Sequence, residues 1–146
     1  MEKELMRIAG YIRETMGLQE TDIRTYSPLT LAFIGDSIFD LVIRTCVVES
    51  GNAPVNKLHK RASKLVQAGA QAELYHLIQD RLTPEETAVY KRGRNAKSFT
   101  SAKNASVVDY RTATGLEALM GYLYLTDQMD RLLELVQPQI NKMVTV

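Results

Sequence analysis

The order of apolar and polar residues predicts helices along almost the whole chain. Apolar residues recur every three or four positions, which is the period of an α-helix, and no stretch alternates convincingly as a strand would. The last predicted helix is expected to bend or break before Pro138, because proline removes a helix hydrogen bond. The pattern predicts an all-α fold, a single-domain helical bundle of 146 residues, with helices near 5–16, 28–48, 54–67, 70–81, 84–93, 105–126 and 128–143.

Residues with capping chemistry mark the ends of several of these helices. Ser27 followed by Pro28 is typical of an N-cap with proline in the first turn. The sequence TPEE at 83–86 has the form of a capping box. Gly17 is expected to end the first helix. The segment 93–104 contains basic, small and amide residues without an apolar period, so it is predicted to be an exposed loop.

Two predicted helices that are otherwise apolar each carry one acid near the centre. The stretch LAFIGDSIFDLV contains Asp36, and the stretch TATGLEALMGYLYLT contains Glu117 as its only charge. A helix that is apolar on both sides is normally buried, and a lone buried carboxylate is costly unless something pairs with it. Either acid alone is open to a structural interpretation, in which an arginine or backbone donors hold it. If the two helices pack together, the acids face each other and require a cation or a proton between them.

A shared Mg²⁺ would meet that requirement, because this ion prefers oxygen ligands and keeps several of its waters. Asp40 lies one turn beyond Asp36 and can reach the same ion or one of its waters; the alternative is an ion pair with Arg44. Other chemistries have little support, since the chain has no glycine-rich phosphate loop and no recognisable Cys–His motif. Neither His59 nor His76 has the spacing of a zinc ligand.

The net charge of +1 hides a strong segregation of charge along the chain. Residues 57–64 carry four Lys or Arg, residues 91–103 carry five, and neither window contains an acid, so the rest of the chain sums to −8. This pattern is typical of a surface that binds a polyanion, although a solvated helix face plus a basic loop is the alternative. The candidate polyanion-binding residues are Lys91, Arg92, Arg94, Asn95 and Lys97, together with Lys60 and Arg61; the 57–64 window, with Lys57 and Lys64, is expected to matter less.

The cellular environment is indicated by what the composition lacks. The single Cys46 cannot form an internal disulfide and is expected to be a small core residue in a reducing compartment. No uncharged stretch approaches the roughly 18 residues that span a bilayer, and the charged N-terminus does not have the pattern of a signal peptide. We therefore predict a cytoplasmic protein without a membrane partner. Acids at a metal site beside basic windows point to phosphodiester chemistry.

Three separated motifs resemble one enzyme family. FIGDSIFDLV resembles the signature helix of the ribonuclease III endonuclease domain, and LEALMGYLYL resembles its second acidic helix, 81 residues further on. KRGRNAKS at 91–98, with a chain that starts directly on the catalytic domain, is similar to Mini-ribonuclease III, the short branch without a double-stranded-RNA-binding domain. The resemblance covers about 29–136, and the first 25 or so residues lie outside it.

The resemblance implies an endoribonuclease that cleaves double-stranded RNA with Mg²⁺, for which Mn²⁺ can substitute. It implies a homodimer that matures the precursor of 23S ribosomal RNA, with a ribosomal protein as a conceivable helper. Asp36 and Glu117 fall on acidic positions of the family's metal site and are carried over as catalytic residues and metal ligands. The longer enzymes have two further acids where this chain has Ala32 and Thr114, and the Thr114 hydroxyl can orient a water on the metal.

Two alternatives remain open at this point. One is a non-catalytic module of the same fold that binds double-stranded RNA or associates with the ribosome. The other is an all-α protein-interaction domain, which leaves the segregation of charge unexplained.

Overall fold

The computed structural model describes residues 7–97 and 106–144, with side chains through residue 142. No described residue lies in a β-strand, so the predicted all-α fold is confirmed. Two short 3-10 helices, Ile23–Thr25 and Gln79–Arg81, join longer elements. The α-helices are α1 (Ile8–Met16), α2 (Pro28–Glu49), α3 (Val55–Val66), α4 (Ala68–Ile78), α5 (Pro84–Asn95), α6 (Val107–Leu125) and α7 (Met129–Val144). Within the described ranges, no helix is both long and apolar enough to cross a bilayer.

The predicted capping residues are present and satisfy backbone donors at the helix starts. Ser27 Oγ accepts a hydrogen bond from the Thr30 N–H at 3.1 Å. Thr83 Oγ1 accepts from the Glu86 N–H at 3.1 Å, while the Thr83 N–H donates to Glu86 Oε1 at 2.9 Å, which completes the capping box. Gly17 adopts a left-handed φ of 67° and ends α1 as predicted.

Helix α6 lies at the centre of the bundle and is in backbone contact with α2. A Cβ atom on Gly35 of α2 would collide with the carbonyl oxygen of Glu117 on α6. A Cβ atom on Gly121 of α6 would collide in the same way with the carbonyl oxygen of Leu31 on α2. The glycines of the two acidic motifs are therefore packing residues, and they let the two helices approach as closely as backbones can.

Helix α5 crosses α6 on another side through a second pair of glycines. A Cβ on Gly93 would lie 2.7 Å from the Ala118 Cβ and 2.9 Å from the Gly115 Cα. A Cβ on Gly115 would in turn lie 2.7 Å from a ring carbon of Tyr90. The last turns of α5 are thereby pressed against the middle of α6.

This crossing corrects the prediction that an exposed loop begins at Gly93. Helix α5 continues to Asn95, so Lys91, Arg92, Arg94 and Asn95 lie on a helix, and only Lys97 follows it. No apolar period marks the end of this helix, because its last turn carries no large apolar side chain and is held against α6 by the small surface of Gly93. Residues 98–104 of the predicted loop lie outside the described residues.

The main hydrophobic core draws its side chains from α2, α3, α4, α6 and α7. Helix α7 runs through Pro138 without interruption, so of the expected bend or break, the break does not occur. Its buried face, which includes Leu135, packs on both sides of the proline, and the carbonyl that loses its partner belongs to exposed Glu134, where water can satisfy it. Cys46 is half-buried at the edge of this core, and burial raises the pKa of its thiol.

Helix α1 is attached through its backbone more than through its apolar face. Asp127 follows α6 with a φ of 57°, and its carboxylate accepts from the Gly10 N–H at 3.1 Å and from Arg13 Nη2 at 3.3 Å. Of the residues in α1, Ala9 is buried, while Ile8, Ile12 and Met16 remain exposed.

Candidate functional site

The carboxyl groups of Asp36 and Glu117 meet where α2 and α6 touch. The contact between Gly35 and the Glu117 backbone places the next residue of α2, Asp36, beside the Glu117 side chain. The two acids are thus brought together, as expected if their helices pack. Asp36 is nevertheless exposed, which corrects the prediction that it is buried. The outer face of α2 is open to solvent, as shown by Phe33, which is 78% exposed.

The electrostatics of the pair are unfavourable when both acids are charged. Burial, together with the hydrogen bond and the charge of the Asp36 carboxyl, raises the pKa of Glu117 from 4.5 to about 8. The Gln71 amide works in the opposite direction and lowers this pKa. In the absence of a cation, the site is therefore expected to hold a proton at neutral pH.

Gln71 is a residue of this site that the sequence analysis did not identify. It projects from α4, is buried, and donates from Nε2 to the Val66 carbonyl at 2.7 Å and to Glu117 Oε2 at 3.5 Å. The only signal in the sequence was one amide among small and apolar residues of α4, which by itself does not separate a site residue from a structural one.

The donor set fits a single hard cation. Two facing carboxylates supply anionic oxygen ligands, and a divalent ion between them would remove their repulsion. The buried Oε1 of Gln71 has no hydrogen-bond partner among the described residues, so a water held at the site could donate to it. No cluster of three or more His, Cys, Asp or Glu side chains suited to a metal occurs in the described part of the chain. An ion at this pair would therefore draw its remaining ligands from water, as Mg²⁺ commonly does.

The two residues predicted to support the metal site are both engaged elsewhere. Asp40 forms an ion pair with Arg44, with 2.9 Å between Oδ2 and Nε, which is the alternative that the sequence analysis left open. The Thr114 hydroxyl donates to the Tyr110 carbonyl at 3.0 Å, and Thr114 is buried. Their roles toward a metal stay predictions.

The described basic residues of both windows are exposed and lie on α3, on the last turns of α5 and just after α5. The contact of Gly93 with Gly115 and Ala118 places the basic end of α5 on α6, within one turn of Glu117. Helix α3 ends at Val66, which Gln71 links to Glu117. Exposed basic residues on these two surfaces are Lys57, Lys60, Arg61, Lys64, Lys91, Arg92, Arg94 and Lys97.

These basic residues differ from most of the other described Lys and Arg residues, because they form no ion pair with a described acid. Within the described residues, no ion pair involves any Lys or Arg of the two windows, whereas several cations elsewhere do form pairs, including Arg13, Arg24 and Arg131. Arg94 lies over the Tyr90 ring at 6.0 Å from its centroid, and its Nε donates to Asn95 Oδ1 at 3.3 Å. The site thus combines a pair of acids with cationic surfaces whose charge is not neutralised by any acid in the described part of the chain.

Comparison with known proteins identifies the family. The family model of the ribonuclease III domain matches residues 29–128, which is more than half of the chain. This chain belongs to the ribonuclease III family. Residues 29–128 contain both acids of the site and both basic windows.

Within this family the chain is similar to proteins named Mini-ribonuclease 3. It is 47% identical to one from Thermoanaerobacter sp. over 137 residues, which cover 94% of each chain. It is 50% identical to one from Enterococcus faecalis over 123 residues, which cover 83% of this chain and 93% of the relative. A crystal structure of a Fusobacterium nucleatum protein superimposes with a TM-score of 0.74 at 32% identity, and covers 87% of this chain and all of that one. Membership in the ribonuclease III family supports an endoribonuclease of that type.

Proposed function

We propose that this ribonuclease III family member is a Mg²⁺-dependent endoribonuclease that cleaves double-stranded RNA, with Asp36 and Glu117 as metal ligands and catalytic residues. The observation that carries the proposal is the facing pair of acids beside cationic surfaces that form no ion pair with the acids the structure describes. Similarity to proteins named Mini-ribonuclease 3 over most of the chain supports it. Mn²⁺ can replace Mg²⁺ at such a site, because it also accepts oxygen ligands.

The acids and the basic residues of the site have different roles in the proposed reaction. Bound at the pair, Mg²⁺ supplies Lewis-acid stabilisation of charge on the phosphate. Asp36 lies at the open rim, where a phosphate can approach, and Glu117 lies deeper, where the low dielectric strengthens its hold on a cation. Lys and Arg of α5 and α3 neutralise neighbouring phosphates and hold the duplex in register.

A cleavage assay with matched variants tests the catalytic assignment. The parent is expected to cut long double-stranded RNA with Mg²⁺ and not with a chelator, and Asp36→Asn and Glu117→Gln are expected to lose nearly all cleavage while still binding RNA. Glu49→Gln is the control, since Glu49 is an exposed acid on the same helix as Asp36. Normal cleavage by Asp36→Asn would refute the assignment. RNA that is bound by the parent but never cut would favour the non-catalytic module.

Binding is proposed to depend mainly on the phosphate contacts of α5. A-form RNA is recognised largely by shape and by sugar and phosphate contacts, which suits cations on an exposed helix end. We expect the fourfold alanine variant of Lys91, Arg92, Arg94 and Lys97 to bind RNA less tightly, with a salt slope reduced by roughly one unit or less for each phosphate that is no longer neutralised. The corresponding variant of Lys57, Lys60, Arg61 and Lys64 should show a smaller effect. Arg24→Ala is the control, because Arg24 is already paired with Asp22. An unchanged salt slope in the α5 variant would exclude the end of α5 as an RNA-binding surface.

A homodimer is proposed because each chain offers one acidic pair, while a duplex has two strands to cut. The exposed face of α2 carries Leu29, Phe33, Leu41 and Val48, which form an apolar stripe beside Asp36. Tyr122 and Tyr124, which the sequence also suggested for an interface, are half-buried against the core. Light scattering of the parent and of Phe33→Ser tests the homodimer. We expect the parent to be a dimer and Phe33→Ser to dimerise more weakly. A parent that is a fully active monomer at micromolar concentration would refute the proposal.

The proposed biological role is maturation of the precursor of 23S ribosomal RNA in the cytoplasm, by a single-domain enzyme and with a ribosomal protein as a conceivable helper. Support comes from the similarity to Mini-ribonuclease 3 proteins and from the polyanion-binding surfaces. Mapping the ends of 23S RNA in cells without the enzyme tests the role. Normal ends would exclude it without affecting the biochemical proposal.

A further inference from the structure

Two buried glutamines hold the junction between α3 and α4 in the same way. Gln71 is 3% exposed and donates from Nε2 to the Val66 carbonyl at 2.7 Å. Gln139 is 0% exposed and donates from Nε2 to the Leu65 carbonyl at 2.6 Å. Since α3 ends at Val66, the carbonyls of its last turn have no partner within the helix, and these amides provide one. Each glutamine also keeps a buried Oε1 without a hydrogen-bond partner among the described residues.

Only one of the two glutamines also reaches an acid of the site. Nε2 of Gln71 lies 3.5 Å from Oε2 of Glu117, whereas Gln139 instead makes its second contact with the Ala70 carbonyl at 3.3 Å. The short bond to Val66 fixes the position of the Gln71 amide, so Glu117 meets a donor that cannot swing away. This contact is long for a hydrogen bond, whereas the bond to the Val66 carbonyl is short.

The Gln71 N–H also affects the electrostatics around the Glu117 carboxylate. Glu117 is otherwise faced by another carboxylate, Asp36, which repels it when both are ionised. The Gln71 N–H attracts the ionised carboxylate and so partly offsets this repulsion.

We propose that Gln71 is a positioning residue, which orients the Glu117 carboxylate for cation binding and RNA cleavage, and that its counterpart Gln139 is structural. The inference rests on the proposed role of Glu117 in cleavage. Partners of metal ligands typically change metal affinity or activity by roughly 10- to 100-fold when they are removed.

The test compares Gln71→Met with Gln139→Met, because methionine has a similar length and no hydrogen-bond donor. Both variants are expected to melt at a lower temperature without metal, since each leaves an α3 carbonyl without its hydrogen-bond donor. Calorimetric titration of the RNA-free protein with Mn²⁺ and cleavage assays at saturating Mg²⁺ separate their roles. Gln71→Met should weaken Mn²⁺ binding and cleavage by about tenfold or more, while Gln139→Met should change either by less than about twofold.

Parent-like Mn²⁺ affinity and cleavage in Gln71→Met would overturn the positioning role. An equal loss of Mn²⁺ affinity in Gln139→Met would overturn it too, because general loosening of the α3–α4 junction would then explain both. If Gln71→Met does not fold, Gln71→Glu retains the volume without the amide donor, and a parent-like cleavage rate in that variant would refute the proposal. A parent that neither binds Mn²⁺ nor cuts RNA would overturn the proposed function as well; a fully active parent with an unaffected Gln71 variant would overturn only this inference.

Discussion

Replacing Glu117 by glutamine is expected to stabilise the metal-free protein at neutral and alkaline pH. Burial and the facing Asp36 carboxyl raise the pKa of Glu117 from 4.5 to about 8. Between these pH values the folded protein holds a proton that the unfolded chain has released. The free energy of unfolding therefore has its full value below about pH 4.5, falls as the pH rises, and levels off above about pH 8. Glutamine does not titrate, so the variant should lack this loss.

The expected gain in the free energy of unfolding follows from the interval between the two pKa values of Glu117. Each pH unit between the two pKa values contributes about 1.36 kcal/mol, which sets a ceiling of about 5 kcal/mol for the whole interval. Asp36 is exposed, so water screens the pair, and we expect about 2 kcal/mol to be realised. For a chain of this size, that corresponds to a rise in melting temperature of roughly 4–8 °C.

Urea unfolding measures this difference in stability between the parent and Glu117→Gln. The measurements are made in chelator, from acidic to alkaline pH. Glu49→Gln removes an exposed acid from α2 and should retain the pH profile of the parent. Mg²⁺ should restore the stability of the parent at alkaline pH and have little effect on Glu117→Gln, which has lost a ligand. The reasoning fails if both proteins have the same pH profile. It also fails if Glu117→Gln loses roughly 3–5 kcal/mol, because that is the signature of a broken buried ion pair.

Two further predictions concern the packing that builds the site. Gly121→Ala should cost at least about 1–3 kcal/mol in urea unfolding, because its Cβ would collide with the Leu31 carbonyl and force α2 away from α6. Gly69→Ala is the matched helix variant, whose Cβ would meet only a carboxylate oxygen at 3.8 Å, so it should be neutral or stabilising by up to about 1 kcal/mol. An equal loss of stability in the two variants would contradict the close crossing of α2 and α6. Glu86→Gln should cost about 3 kcal/mol, since Glu86 is buried and paired with Arg131 at 2.9 Å. The hydrogen bond from Arg131 lowers the pKa of Glu86 below 4.5, so the ion pair stabilises the fold above that pH and this stabilisation is lost as the pH falls below it. An acid-unfolding curve that Glu86→Gln leaves unchanged would contradict this prediction.

Features that depend on neighbours along the chain could be predicted from the sequence. The apolar period of each helix, the Ser27 and Thr83 caps and the left-handed Gly17 all follow from interactions within a few residues, and all are present. Asp36 and Glu117 could be selected because a lone acid in an apolar helix is conspicuous wherever that helix lies. Their meeting could be expected, but only on the condition that their helices pack together.

Other features depend on which surfaces meet, and only the tertiary structure decided them. Asp36 is exposed because the outer face of α2 remains uncovered, whereas the sequence counted only its apolar neighbours. Helix α5 reaches Asn95 because Gly93 fits against α6, a contact that leaves no apolar period in the sequence. Gln71 belongs to the site because α3 ends where its amide can satisfy a free carbonyl and still reach Glu117. Helical propensity and capping are local, but burial and the choice of hydrogen-bond partner are fixed by residues distant in the chain, here 46 positions away.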